Sequence, residues 1–308
     1  MNARLRAFYP ELALVVASFL YGATFTIVQD ALEDLTATGF VLVRFTIGGL
    51  ALAPIALLRG WRGPAARGTD SARVLTVCAI ALGFTAFVGY VCQNVGLQHT
   101  TTSNSAFITG LFAVFTPLVG AVVYRRLPNR TVVVSVALAV LGLLLLTGAQ
   151  PPPNFGDAIT LGTAFFFGIW FVQLGAWSNR FDVISLTCVE LLAIAAFSVP
   201  FVAFGGLGDL TAQALFAVVF TGLGCSAFAF SIHAWAQRRI EPARASIISL
   251  LEPVVAGFVG YAVGERLGWG GYLGAVIILA GIVVAELGAR RRSNVAPVTS
   301  LDRPVKRQ

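Results

Sequence analysis

Residues 100–120 read TTTSNSAFITGLFAVFTPLVG, and residues 241–267 read EPARASIISLLEPVVAGFVGYAVGERL. Set 139 positions apart, Ala106 falls on Ala245 and Ile108 on Ile247, while Pro117 and Pro253 align at 136. Similar text in the two halves of one chain indicates an internal duplication. The match continues outward. At 139, Gly83 pairs with Gly222, Asn94 with His233, Gln98 with Gln237 and Gly142 with Gly281. At 146, Gly22 pairs with Gly168, Arg44 with Glu190 and Pro54 with Pro200. The drift between offsets corresponds to insertions of about one or two helical turns.

The repeated text is apolar, and so is the whole chain. Hydrophobic residues make up 57% of the 308 and charged residues only 11%, against roughly 25% charged in soluble domains. Mean hydropathy is +0.84. These values exclude a soluble enzyme, a disordered protein and a nucleic-acid binder. A spanning helix needs about 20 mostly apolar residues, and ten runs qualify: Leu12–Gln29, Thr36–Leu58, Val74–Asn94, Ala106–Tyr124, Val132–Ala149, Ala158–Trp177, Val183–Phe204, Leu210–Ala236, Ala245–Val263 and Trp269–Leu287. The first is longer than the ~7–15 apolar residues of a signal peptide, and we read it as a retained helix. Cys78, Cys92, Cys188 and Cys225 all lie inside these runs without Cys-x-x-Cys spacing. They are expected to be buried thiols, with no disulfide and no metal site.

The net charge of +7 has a topological reading. In a ten-span arrangement Arg4, Arg6, Arg59, Arg62, Arg67, Arg73, Arg125, Arg126, Arg130, Arg180, Arg238, Arg239, Arg244 and the bases from Arg290 onward share one side. Asp30, Glu33, Asp34, Asp157, Asp209 and Glu265 share the other, with Arg266 its only base. The positive-inside rule then places both termini in the cytoplasm, and a bacterial inner membrane is the expected location. Five helices per half means that the halves enter the bilayer from opposite sides. The expected organisation is an all-α integral membrane protein of two inverted five-helix repeats, 1–150 and 151–290, followed by a basic cytoplasmic tail, 291–308. Inverted repeats without a large soluble domain indicate a secondary carrier whose site lies between the repeats.

Several stretches also resemble a known family. LVVASFLYGATF (14–25) is similar to the W-G-x-x-F opening of EamA-type drug/metabolite transporters, with Tyr21 where Trp is common. Arg44 in VLVRF matches that family's second-helix arginine, and the two segments quoted at the outset resemble its fourth and ninth helices. The run from Ala245 through Leu251-Glu252-Pro253-Val254 to Gly264-Glu265-Arg266 is the most specific part. The resemblance implies a ten-helix fold and efflux of small metabolites, often amino acids or their relatives, without fixing one solute.

Ionisable groups inside spans are costly and attract a functional question. Arg44 and its repeat partner Glu190 could form a charged gate or a solute contact; tying helix ends through carbonyls is the reading we prefer. Glu252 beside Pro253 fits a kink with polar support, proline having no N–H to donate, as Pro117 does in the first repeat; a solute role for Glu252 stays open. His233, the one histidine inside a span, is a candidate for proton coupling, because its ordinary pKa lies between about pH 5 and 8. Ser226, Phe230, His233 and Gln237 line one helix face, with Phe87, Val91, Asn94 and Gln98 as their equivalents. Tyr21, Phe25, Tyr90, Phe167, Trp170 and Gln173 add an aromatic wall suited to a small amphipathic solute. Trp177 and Trp269 at span ends read as interface aromatics.

The expected partners are a small solute and the lipid bilayer. No nucleotide, metal or other cofactor motif occurs. A nucleotide-sugar or phosphate-ester antiporter would need several deep bases where only Arg44 is found, and a cationic-drug exporter would need a deep carboxylate in the first span, where Glu11 lies at the edge. A channel and an intramembrane enzyme are the alternatives that are not carriers.

Overall fold

The computed structural model describes residues 8–59, 69–147, 154–262 and 268–295. Arg4, Arg6, Arg62, Arg67, Gln150 with the proposed repeat boundary, Gly264–Arg266 and the tail beyond residue 295 lie outside them.

The first half contains α1 (Tyr9–Ala31), α2 (Ala37–Arg59), α3 (Thr69–Leu97), α4 (Thr102–Gly110), α5 (Phe112–Tyr124) and α6 (Arg130–Thr147). The second contains α7 (Phe155–Trp177), α8 (Val183–Gly205), α9 (Ala212–Phe220), a π-helical segment (Thr221–Ala229), α10 (Phe230–Ala236), α11 (Pro242–Ser249), α12 (Leu251–Ala262) and α13 (Trp269–Val295). α4 and α5 together form the fourth span, α9 through α10 the eighth, and α11 with α12 the ninth. Among the described residues nine spans are long and apolar enough to cross a bilayer, and Arg130–Leu145 is a shorter apolar helix. Large apolar side chains coat the outer faces: Phe19, Leu57, Val122, Phe204, Phe216 and Val276 are all exposed. A coat of that extent is stable against lipid and not against water. Trp269, 90% exposed at the start of α13, is part of it.

Helix ends in a membrane protein need partners for their free N–H groups. Thr101, Asn154, Asp182 and Thr211 cap α4, α7, α8 and α9 by accepting from the backbone N–H three residues on. α1 and α11 instead begin with Pro10 and Pro242, which lack the N–H that would need a partner.

The packing follows the duplication. α2 lies on α8 and α6 on α13, each helix against its own repeat equivalent. α1 packs on α12 as α7 packs on α5. Gly22 and Gly168 make those last two contacts possible: a Cβ on Gly22 would stand 2.5 Å from the Glu252 carbonyl oxygen, and one on Gly168 2.7 Å from the Phe115 Cβ. The helix breaks repeat as well. α4 gives way to α5 at Leu111 and α11 to α12 at Leu250, 139 positions apart, and each N–H turns back to the carbonyl three residues earlier (3.1 and 3.2 Å). Pro253 contributes to the second break, since it cannot donate to the Ser249 carbonyl.

One departure matters for the site. The eighth span is not a continuous α-helix: Thr221–Ala229 is π-helical, whereas its equivalent in α3 is α-helical throughout. A π segment accommodates an extra residue and rotates everything after it.

Candidate functional site

A narrow cavity lies between the two halves. α1 supplies Tyr21, Thr24, Phe25 and Val28; α2 supplies Arg44; α3 supplies Ala86, Tyr90, Gln93 and Leu97. Phe112 comes from α5, Phe167, Trp170 and Phe171 from α7, Phe230 and His233 from α10, and Glu252 from α12. About 50 Å³ of its interior is open to the centres of water-sized molecules. That suffices for a few waters, so a metabolite requires the walls to part.

Aromatic contacts hold the walls together. The Tyr90 ring lies 4.9 Å from Phe45 and from Phe167, and stacks on Phe230 at 6.1 Å. Trp170 meets Phe230 at 5.2 Å and His233 at 5.7 Å, both edge to face. Tyr21 lies 6.1 Å from His233 on its other side.

The polar groups are only partly satisfied. Arg44 donates Nε–H to Ser226 Oγ at 3.0 Å, and its guanidinium covers the Tyr90 ring at 4.9 Å. Its Nη2 is buried without a hydrogen-bond partner. Tyr21 Oη donates to the Cys225 carbonyl (3.1 Å), and Gln93 Nε2 to Thr109 Oγ1 (3.2 Å). His233 Nδ1 has no partner. Among the described residues no ion pair joins Arg44 to Glu252 or Glu190. The cavity therefore holds a guanidinium and a carboxyl group that are not spent on each other.

Of the residues singled out in the sequence, Tyr21, Phe25, Tyr90, Phe167, Trp170, Phe230, His233, Arg44 and Glu252 meet in this cavity. Four others lie outside its wall. Asn94 donates to the Ala37 carbonyl (3.2 Å), Gln173 accepts from Thr85 Oγ1 (2.9 Å), and Ser226 holds Arg44. Gln237 is buried with neither amide atom bonded. Glu190 sits behind the wall and accepts from Trp170 Nε1 at 2.5 Å. Pro117 lines a separate cleft with Tyr124, Arg126 and Glu241, and Pro253 marks the ninth-span break.

The face expected on α3 is corrected by one residue. Asn94 and Gln98 were to be the counterparts of His233 and Gln237, yet the cavity takes Tyr90 and Gln93. Tyr90 and Gln93 stand 140 positions from Phe230 and His233, not 139. The π segment accounts for the added position, because α3 has no such bulge. Thr24, Gln93, Phe112 and Phe171 were not singled out. Thr24 and Gln93 lie three residues after Tyr21 and Tyr90, and Phe171 four after Phe167, so helical spacing alone could have found these three.

The two ends of the bundle are closed differently. At the end bearing the acidic connections, Thr100 Oγ1 donates to Asp157 (2.6 Å), Thr211 Oγ1 to Asp34 (2.6 Å), and Thr102 Oγ1 to Gln29 Oε1. The Asp34–Thr36 and Leu207–Asp209 backbones bridge there too. At the basic end Arg244 bonds Glu11 (2.6 Å) and, through two nitrogens, Glu286. Arg238 there donates to the Ser178 carbonyl (2.8 Å) and the Phe181 carbonyl.

Comparison with known proteins bears on what such an arrangement does. The model of the EamA-like transporter family matches residues 9–148 and again 154–287. An uncharacterized transporter of Archaeoglobus fulgidus is 29% identical over 281 residues, covering 91% of this chain and 86% of its own. A probable terminal-alkyne amino-acid exporter of Streptantibioticus cattleyicolor is 24% identical, with 92% and 96% covered. The uncharacterized transporter YcxC of Bacillus subtilis is 23% identical, with 92% and 94% covered. A solved crystal structure superposes with a TM-score of 0.72 at 18% identity, covering 91% of this chain and 97% of that one. It shares the fold.

Proposed function

The chain belongs to the EamA-like transporter family, and on that premise we propose a secondary carrier that exports small zwitterionic or amphipathic metabolites, amino acids or their relatives among them. One observation carries the reading: the cavity combines aromatic walls with an Arg44 Nη2 that lacks a partner and a Glu252 that faces the same space. Arg44 suits a carboxylate, which a guanidinium binds through paired N–H groups. Glu252 and His233 suit an ammonium or hydroxyl, and the rings cover the apolar remainder. A cavity dominated by phosphate-binding bases would look different, since Arg44 is its only permanent cation. The amino-acid exporter among the relatives supports the same class.

In this reading the repeats 1–150 and 151–290 rock against each other around the cavity, so that one end opens as the other closes. The basic end faces the cytoplasm of a bacterial inner membrane, and the purified chain needs no cofactor. The test is counterflow in proteoliposomes with radiolabelled amino acids, amines, carboxylates and phosphate esters. Saturable counterflow confined to solutes bearing a carboxylate is the expected result, and Trp170→Ala is expected to raise the apparent KM by removing contact area in the bound state. Flux that does not saturate, or counterflow confined to phosphate esters or organic cations, would overturn the proposal.

A further inference from the structure

We infer that Glu190 is a proton-binding site set behind the cavity wall, with Trp170 as the movable plug between proton and solute. The inference rests on the carrier reading above. Glu190 lies two turns into α8 and is fully buried. Its Oε1 accepts from Trp170 Nε1, and its Oε2 has no hydrogen-bond partner. Gly83 lets α3 close over it, since a Cβ there would stand 3.0 Å from the Glu190 carbonyl oxygen.

The groups able to neutralise Glu190 make no bond to it. α2 carries Arg44, bonded to Ser226 and laid over Tyr90. α3 carries Tyr90 and Cys78, the π segment carries Cys225, which contacts Thr24, and α10 carries His233. Cys188 on α8 itself contacts the Gly49 carbonyl. Among the described residues none of these bonds or ion-pairs with Glu190. An anion at this depth with one neutral donor lacks a counter-charge, and a bound proton removes the need for one.

Trp170 has one edge on Glu190 and its ring in the cavity, against Phe230 and His233. His233 Nδ1 is also without a partner. A solute entering the 50 Å³ space must displace rings, and moving Trp170 breaks its bond to Glu190 and opens the carboxyl to cavity water. The carboxyl then releases its proton to the side that is open; no other bond changes. Solute binding and proton retention thus oppose each other, and by linkage each weakens the other equally. That is the relation an antiporter needs.

Infrared difference spectra of the purified full chain between acid and alkaline pH test the site without any solute. A protonated-carboxyl band that survives Glu252→Gln and is lost in Glu190→Gln is expected; a spectrum unchanged by Glu190→Gln overturns the proposal. Trp170→Phe keeps a ring and removes the N–H, so it should move the titration midpoint about threefold or more in proton concentration. An unmoved midpoint overturns the plug, and this arm decides the matter if Glu190→Gln does not fold. With a solute selected by counterflow, Glu190→Gln should lose accumulation driven by a proton gradient while retaining counterflow. Equal loss of both assigns Glu190 to structure and overturns the coupling. If no solute on the panel is carried, the transport reading fails, and the infrared result still decides the proton site.

Discussion

Glu11 and Asp157 stand 146 positions apart, each in the first turn of its repeat's first helix, yet they close opposite ends by different means. Asp157 completes a capping box with Asn154 and accepts one hydroxyl, from Thr100. Glu11 faces Arg244, which Glu286 also holds. The acidic end is shut by hydroxyl and amide hydrogen bonds, which water can replace at little net cost. The basic end is shut by a mostly buried ion triad joining α1, α11 and α13, whose separation strands charges in an apolar setting. Two symmetric folds of chain thus carry unequal sets of bonds at their ends, and under the carrier mechanism proposed above that inequality would set which end opens first. On the carrier reading proposed above, the resting protein opens readily at its acidic end, and its basic end admits solute only when the Arg244 triad separates.

Cysteines placed at Ser246 near the basic end and Ser105 near the acidic end, both buried, report the opening of each end by their labelling rates in a background lacking the native cysteines. Arg244→Ala should have the largest effect. Leaving two carboxylates unpaired should cost the closed basic end about 3 kcal/mol, seen as roughly 100-fold faster labelling at position 246. Glu286→Gln leaves the Glu11–Arg244 pair and should give an increase about tenfold smaller. Thr100→Ala removes one hydrogen bond to a carboxylate, worth ~1.5 kcal/mol, and should speed labelling at position 105 alone. Gln173→Leu should be smallest: it breaks the bond with Thr85 outside both latches and should leave both labelling rates and the transport KM unchanged. Equal responses at the two ends to Arg244→Ala and Thr100→Ala would break the comparison.

Most of this fold was legible in the sequence, because spanning helices are written in hydropathy. The ten runs coincide closely with the helices, and the paired residues Gly22 and Gly168 sit at equivalent crossings. The cavity's aromatic members were legible for the same reason, being deep in spans and spaced along faces. Its rotation was not. The π segment at Thr221–Ala229 shifts one repeat by a residue against the other, and nothing in Gly222 or Gly224 announces a bulge in place of close packing. The Arg244 triad was equally hidden: Arg244 counted only toward sidedness and Glu11 only as an edge carboxylate. Their meeting depends on how α1, α11 and α13 converge, and sequence spacing does not encode that.

The central claim is that one cavity between the repeats opens alternately to two ends. Spin labels at Glu33 and Phe155 at the acidic end, and at Arg126 and Glu241 at the basic end, occupy exposed positions on opposite repeats. Pulsed dipolar spectroscopy in lipid nanodiscs would measure both distances with and without the solute that counterflow selects. The account predicts reciprocal change: whichever pair of distances lengthens when solute binds, the other shortens, and Arg244→Ala lengthens the basic-end distances and shortens the acidic-end distances without solute. Two pairs that lengthen together, or that do not respond to a transported solute, would contradict it.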